Sequence, residues 1–85
     1  MEKHVALVLL NNRHVSAVEV QKVLTSWGCS IKTRLGLHGG VQNACSEDGL
    51  LFLELAGEKA EHEKHIAELN AIPGVDAKLV ALTLK

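Results

Sequence analysis

Residues 4–10 read HVALVLL, an unbroken apolar run of strand length after a single histidine. A strand covered on both faces is apolar throughout, whereas a half-exposed strand alternates apolar and polar residues. We therefore place this strand at the centre of a sheet. Residues 50–56 read LLFLELA, interrupted only by Glu54, and require the same cover. The two strands should lie side by side.

Helical periodicity marks two further segments. Ser16 and Glu19 have the spacing of a capping box, which predicts a helix near residues 17–27. Gly28 supplies a left-handed stop after it. Residues 58–72 carry a second helical stripe, with acidic residues near its start, where the helix dipole favours them.

Two weaker strands complete the pattern. Residues 31–38 alternate apolar and polar side chains, and residues 76–84 do so after a Pro-Gly break, so both are predicted as edge strands. The order β-α-β-β-α-β predicts an α+β, ferredoxin-like sandwich: one domain over residues 1–85, with an antiparallel four-stranded sheet and both helices on one face. The helix-free face of the central strands would then be bare. An exposed apolar face of this kind predicts a homodimer or higher homo-oligomer.

Composition excludes several classes of function. Nine basic and ten acidic residues give a net charge of −1, so no basic surface for direct binding of nucleic acid is expected. The N-terminal apolar run is too short for a membrane span and lacks a signal-peptide cleavage site, which predicts a cytoplasmic protein without membrane contact. Cys29 and Cys45 are too few for a disulfide framework and are predicted to be reduced thiols.

The segment from Arg34 to Gly49 is the candidate ligand site, because it gathers reactive side chains in a connection longer than most hairpin loops. Arg34 offers a planar fork for a carboxylate or phosphate, and two glycines would let backbone amides approach a ligand. The predicted ligand-binding residues are Arg34, His38, Gly39, Gly40 and Cys45. The alternative is a solvated edge strand followed by a passive loop.

A transition-metal site is a further hypothesis for the same segment. His38 and Cys45 are competent ligands for Zn, Ni or Cu, and Glu47 or Asp48 would be additional ones. Two ligands do not complete a four-coordinate site, so a second subunit would have to contribute the rest. The alternative is that Cys45 is a small buried apolar side chain.

The remaining histidines give a weaker signal. His62 lies in line with the apolar stripe of the second helix, so a half-buried imidazole at the edge of that stripe is predicted. His65 is placed on the solvated face of that helix, and His4 has no partner that sequence spacing identifies. No catalytic triad, carboxylate pair, phosphate-cradling loop or dinucleotide fingerprint occurs, so we expect a protein that is not an enzyme.

Three segments resemble the family of iron-only hydrogenase system regulators: TRLGLH at 33–38, GLLFLEL at 49–55 and LNAIPGV at 69–75. The resemblance implies a stand-alone ACT-like domain, similar in shape to the ligand-binding domain of the nickel-responsive repressor. His38 and Cys45 are placed like metal ligands of that domain, although Gly36 stands where its His-x-His pair would have another histidine. It also implies a regulator of transcription, which would need a separate DNA-binding protein.

These observations together predict a non-enzymatic regulatory or sensor domain that acts through oligomerisation and binds a small ligand or metal beside Arg34, His38 and Cys45. The cofactor is unknown, with a transition metal as the candidate. The first alternative is a structural protein–protein interaction module with no ligand, which would use the helix-free sheet face. The second is a Ni- or Zn-binding protein.

Overall fold

The computed structural model describes residues 1–11, 14–38 and 48–85 of the chain. Within these ranges it contains four strands and two α-helices in the predicted order. Their bounds are β1 Glu2–Asn11, α1 His14–Trp27, β2 Ile31–His38, β3 Asp48–Leu55, α2 Lys59–Asn70 and β4 Val75–Thr83. A short 3-10 turn, Gly28–Ser30, joins α1 to β2. Gly28 has φ of +53°, the left-handed conformation predicted for the residue that ends the first helix.

The sheet has the strand order β2-β3-β1-β4, and all three neighbouring pairs are antiparallel. The two apolar runs, β1 and β3, are central, and the two alternating strands are at the edges. The predicted α+β, ferredoxin-like βαββαβ fold is therefore confirmed. Within the described residues, neither helix is long and apolar enough to cross a membrane.

The core lies between the helices and one face of the sheet. In β1 the even-numbered residues from His4 to Leu10 are all buried, because these positions share the face that the helices cover. The helices contribute the predicted apolar stripe of α1 and Leu69 of α2. Buried apolar residues of this cluster include Ala6, Val8, Val20, Leu24, Trp27, Leu53, Leu69 and Ala77.

The start of α1 differs from the capping-box prediction. The helix begins at His14, so Ser16 lies within its first turn instead of capping it. The Ser16 hydroxyl is buried and donates a hydrogen bond to the carbonyl oxygen of Pro73 at 2.9 Å. The hydroxyl that was predicted to cap the helix therefore bonds a residue 57 positions away in the sequence.

The start of β2 also differs, because the pairing of β2 with β3 shifts register between Ile31 and Thr33. A bulge adds a residue to one strand and changes which face the flanking side chains occupy. Lys32 consequently reaches Glu54 on β3, whereas Arg34 contacts Gln21 on α1. The alternation predicted for residues 31–38 therefore breaks at Lys32, which does not share the face of Arg34.

Within the described residues the opposite face of the sheet carries no helix, as predicted, and all four strands place apolar side chains on it. Leu7 of β1 and Leu35 of β2 both pair with Phe52 of β3, and Leu9 pairs with Leu50. Several leucines here stay exposed: Leu7 at 39%, Leu9 at 50%, Leu35 at 51%, Leu50 at 37% and Leu82 at 58%.

Candidate functional site

Two buried histidines meet where β1 begins and α2 begins. His4 occupies the first helix-facing position of β1, and His62 lies in the first turns of α2 in line with Leu69. Only 7% of His4 and 1% of His62 is exposed, and their Nδ1 atoms are 2.6 Å apart. The planes of the two rings are nearly perpendicular, at 84°. We call these two residues the histidine pair.

The outer nitrogen of each ring has its own partner. His62 Nε2 donates a hydrogen bond to the carbonyl oxygen of Ala56 at 3.0 Å, and His4 Nε2 lies 2.7 Å from Glu2 Oε1. Gly57, between β3 and α2, has φ of +113°, a backbone conformation that residues other than glycine rarely adopt. This glycine therefore permits the tight turn that brings the Ala56 carbonyl to His62.

A cavity of about 400 Å³ opens beside the histidine pair, at the end of the sheet. This volume is within the range of small-molecule sites. Its wall includes both histidines and side chains of both charges, supplied by β1, β2, β3 and α2. The charged lining residues are Glu2, Lys3, Lys32, Glu54, Glu58 and Lys59.

The two carboxylates on the strands are held in their ionised form. A hydrogen bond from the His4 ring, with a second from the Thr83 hydroxyl, keeps the pKa of Glu2 below its ordinary value. A hydrogen bond from Thr33, assisted by the ammonium groups of Lys32 and Lys3, likewise lowers the pKa of Glu54. The cavity therefore presents fixed negative charge beside its lysines at neutral pH.

The predicted ligand site is only partly within the described residues. Arg34 lies on the face of β2 toward α1, where its Nη1 donates to Gln21 Oε1 at 3.0 Å in an exposed contact. His38 is the last residue of β2 and pairs with Gly49. Gly39, Gly40 and Cys45 lie outside the described residues, as does Glu47. The site at Arg34, His38 and Cys45 therefore stays a prediction.

Metal ligation was predicted for His38 and Cys45, and Cys45 is outside the described residues. Elsewhere in the described part of the chain, no group of three or more His, Cys, Asp or Glu side chains is arranged to hold a metal ion. Cys29 is an exposed free cysteine. The prediction that Cys29 and Cys45 are both reduced thiols stays a prediction, because Cys45 lies outside the described residues.

Sequence reasoning missed the histidine pair, although each member carried a signal. His4 has the same parity as the buried residues of β1, and His62 continues the stripe that contains Leu69. A polar residue on the buried face of each of two elements requires a partner. His65 was also misplaced: its ring stacks on Trp27 with centroids 4.3 Å apart instead of facing solvent alone.

No family model matches this chain, and no curated protein matches it. Solved structures do match. An uncharacterized protein from Thermotoga maritima is 19% identical with a TM-score of 0.83, over 98% of this chain and 100% of its own. The ACT domain from the GTP pyrophosphokinase of Chlorobium tepidum is 12% identical with a TM-score of 0.69, over 94% of this chain and 97% of its own. The C-terminal domain of the MgtC protein from Mycobacterium tuberculosis is 15% identical with a TM-score of 0.62, over 96% and 88%.

At these identities the likeness establishes the fold alone. The chain has an ACT-like form of the ferredoxin-like fold. The resemblance to iron-only hydrogenase system regulators rests on the quoted segments and stays a prediction.

Proposed function

We propose that this chain is a non-enzymatic regulatory domain that binds a small charged molecule in the cavity beside the histidine pair. The observation that carries the proposal is this cavity, with buried imidazoles in its wall and charges of both signs around it. ACT domains, whose fold it has, are small regulatory ligand-binding domains.

The lining favours a ligand that carries an anionic group and a donor group together. Lys59 stands on α2 at the cavity wall, and among the described residues no ion pair of 4 Å or less involves its ammonium. The ammonium groups of Lys3 and Lys32 already form ion pairs with the Glu54 carboxylate, at 3.5 and 3.8 Å. A ligand carboxylate or phosphate would therefore meet Lys59, and its donor group would meet Glu2 or Glu58.

A thermal-shift panel of amino acids, dicarboxylates and nucleotides tests the proposal. A ligand at about 100 times its Kd adds about 2.7 kcal/mol of stability. For a domain of this size that is roughly 10–20 °C in Tm. Lys59→Ala should abolish the shift, and Lys64→Ala, on an exposed position of the same helix, should keep it.

Arg34→Ala separates the cavity from the predicted hairpin site. Loss of the ligand shift in Arg34→Ala, with Lys59→Ala unaffected, would place the ligand beside Arg34, His38 and Cys45 and overturn the cavity proposal. Metal analysis of untagged protein, with His38→Ala and Cys45→Ala, tests the Ni or Zn hypothesis in the same way. Stoichiometric metal lost in both variants would support it.

The second candidate is an interaction module, and the helix-free sheet face favours it. Exposed leucines pair across β1, β2 and β3, and a second copy of the chain would cover them in a homodimer or higher oligomer. A regulator of transcription would add a separate DNA-binding protein to this assembly. A panel without any ligand shift would favour the module alone.

Light scattering after size exclusion measures the proposed self-association. Leu35→Glu on the helix-free face should convert an oligomer to a monomer at micromolar concentration, because it places a charge in the apolar contact. Val18→Glu is the matched control, since Val18 is an exposed apolar residue on α1. A wild-type protein that is already monomeric would contradict self-association.

A further inference from the structure

The hydrogen bonds of the histidine pair form a chain of four groups. Glu2 Oε1 lies 2.7 Å from His4 Nε2, the two Nδ1 atoms are 2.6 Å apart, and His62 Nε2 lies 3.0 Å from the Ala56 carbonyl oxygen. This series of hydrogen-bonded groups begins at the Glu2 carboxylate and ends at the Ala56 carbonyl, so the groups at both ends are acceptors.

Two neutral histidines supply one proton too few for these three hydrogen bonds. A carbonyl cannot donate, so His62 Nε2 carries a hydrogen, and an ionised Glu2 requires one on His4 Nε2. Two neutral rings carry one hydrogen each, so both Nδ1 atoms would then be bare. Two lone pairs facing each other at 2.6 Å repel, whereas a hydrogen between them makes a charge-assisted bond.

A metal ion fits this geometry less well than a proton. The ring centroids are 4.8 Å apart, close to the largest separation that the Nδ1–Nδ1 distance and the two ring radii allow, so the two nitrogens point almost directly at each other. Zinc binds histidine nitrogens at about 2.0–2.1 Å. Two such nitrogens around one ion need a separation of roughly 3.3 Å for tetrahedral coordination.

We propose that His4 and His62 bind one shared proton, as an imidazole and an imidazolium bridged through Nδ1, and that this proton fastens the start of β1 to the start of α2. The bound proton balances the Glu2 carboxylate. Its release leaves one of the three hydrogen bonds unmade. The inference is independent of which ligand the cavity takes.

Other charged groups around the pair set the field in which this proton sits. β4 contributes the Thr83 hydroxyl, which donates a hydrogen bond to Glu2 Oε2. The residues that line the cavity include no charged residue of β4. Glu61 Oε2 and His62 Nε2 both lie near Gly57. The titratable and charged groups around the pair are the amino group of Met1, Glu2 and Lys3 of β1, Lys32 of β2, Glu54 of β3, and Glu58, Lys59 and Glu61 beside and within α2.

The sign of the pH dependence follows from the proton count. The folded protein holds a proton that the unfolded chain releases as pH rises, so it binds more protons than the unfolded chain does there. Folding stability then falls as pH rises through the release of the shared proton.

Glu2→Gln is the decisive variant, because a glutamine amide can donate to His4 Nε2. All three hydrogen bonds then form with two neutral rings and no shared proton. Between about pH 5 and pH 8, the range in which histidines change charge, Tm of the wild type should fall relative to Tm of Glu2→Gln. Glu68→Gln, which removes one charge from an exposed position of α2, should follow the wild type.

Nitrogen-15 NMR of the histidine rings reads the protons directly. Hydrogens on both Nε2 atoms, with Nδ1 signals of both rings intermediate between protonated and bare, support the shared proton. A wild-type His4 with a bare Nε2 overturns it, as do identical pH profiles of the wild type and Glu2→Gln. Stoichiometric Zn or Ni that is lost in His62→Gln also overturns it, because the metal would then occupy the place of the proton.

Discussion

The α2 side and the β2 side of the sheet carry polar contacts of different kinds. On the α2 side, His4, His62 and Asn70 make buried or partly buried hydrogen bonds, and the one between His4 and His62 joins residues 58 apart in sequence. On the β2 side, Arg34 and Thr33 make exposed contacts. Buried polar groups are costly to leave unpaired, whereas exposed ones exchange their partners for water. The α2 side should therefore respond strongly to substitution and the β2 side weakly.

His62→Ala should give the largest loss of stability. It removes a fully buried side chain and leaves the His4 ring and the Ala56 carbonyl without their partner, at a cost of about 3 kcal/mol. Urea denaturation measures the loss, with Lys64→Ala on the same helix as control. A loss below about 1 kcal/mol would contradict the importance of the histidine pair for folding.

Asn70→Ala should cost about 2 kcal/mol. The Asn70 amide donates to the Ala77 carbonyl at 2.9 Å and accepts from the Ala77 N–H at 2.7 Å, so it satisfies the outer edge of β4. Hydrogen exchange of the Ala77 amide should be faster in Asn70→Ala, because that N–H loses its acceptor. Asn70→Asp keeps the acceptor and should recover part of the stability; equal losses in the two variants would argue against the accepted bond.

Acid should weaken the protein at the same end of the sheet. Because the pKa of Glu2 is lowered by the His4 ring, the stability that this carboxylate adds is complete above its ordinary value of 4.5 and is lost as pH falls through its folded value. Glu2→Gln should make the fall of Tm below about pH 4.5 shallower. A fall as steep as that of the wild type would exclude Glu2 as a source of acid sensitivity.

Arg34→Ala should have the smallest effect, less than about 0.5 kcal/mol. Its hydrogen bond to Gln21 is exposed, and water replaces it at little cost. Urea denaturation of Arg34→Ala and His62→Ala in parallel compares the losses of stability on the two sides of the sheet. A loss above about 1 kcal/mol would show that the β2 side also depends on its polar contacts.

Strand order, helix positions and most of the core could be predicted, because they depend on periodicity within short segments. β1 and β3 took the central positions that their apolar runs indicated, and the stripe of α2 that contains Leu69 became a buried face. The capping role of Ser16 was predicted wrongly because its hydroxyl bonds Pro73. The alternation predicted for residues 31–38 breaks at Lys32 because a bulge shifts the register of β2. Neither a distant carbonyl nor an extra residue in a strand leaves a periodic trace.

The candidate site illustrates the same limit. Arg34, His38 and Cys45 attracted attention because they are near each other in sequence. His4 and His62 are 58 residues apart, and each alone resembles an ordinary polar residue at the edge of an apolar pattern. Only the crossing of α2 over β1 brings their nitrogens together.

The sequence by itself determined that residues 4–10 and 50–56 are central strands, since apolar side chains on both faces of a strand must be covered. It also determined that one sheet face would lack a helix. The tertiary structure alone decided that His4, which precedes the apolar run, is half of a buried pair. Hydrogen bonds between distant segments depend on three-dimensional placement and not on spacing along the chain.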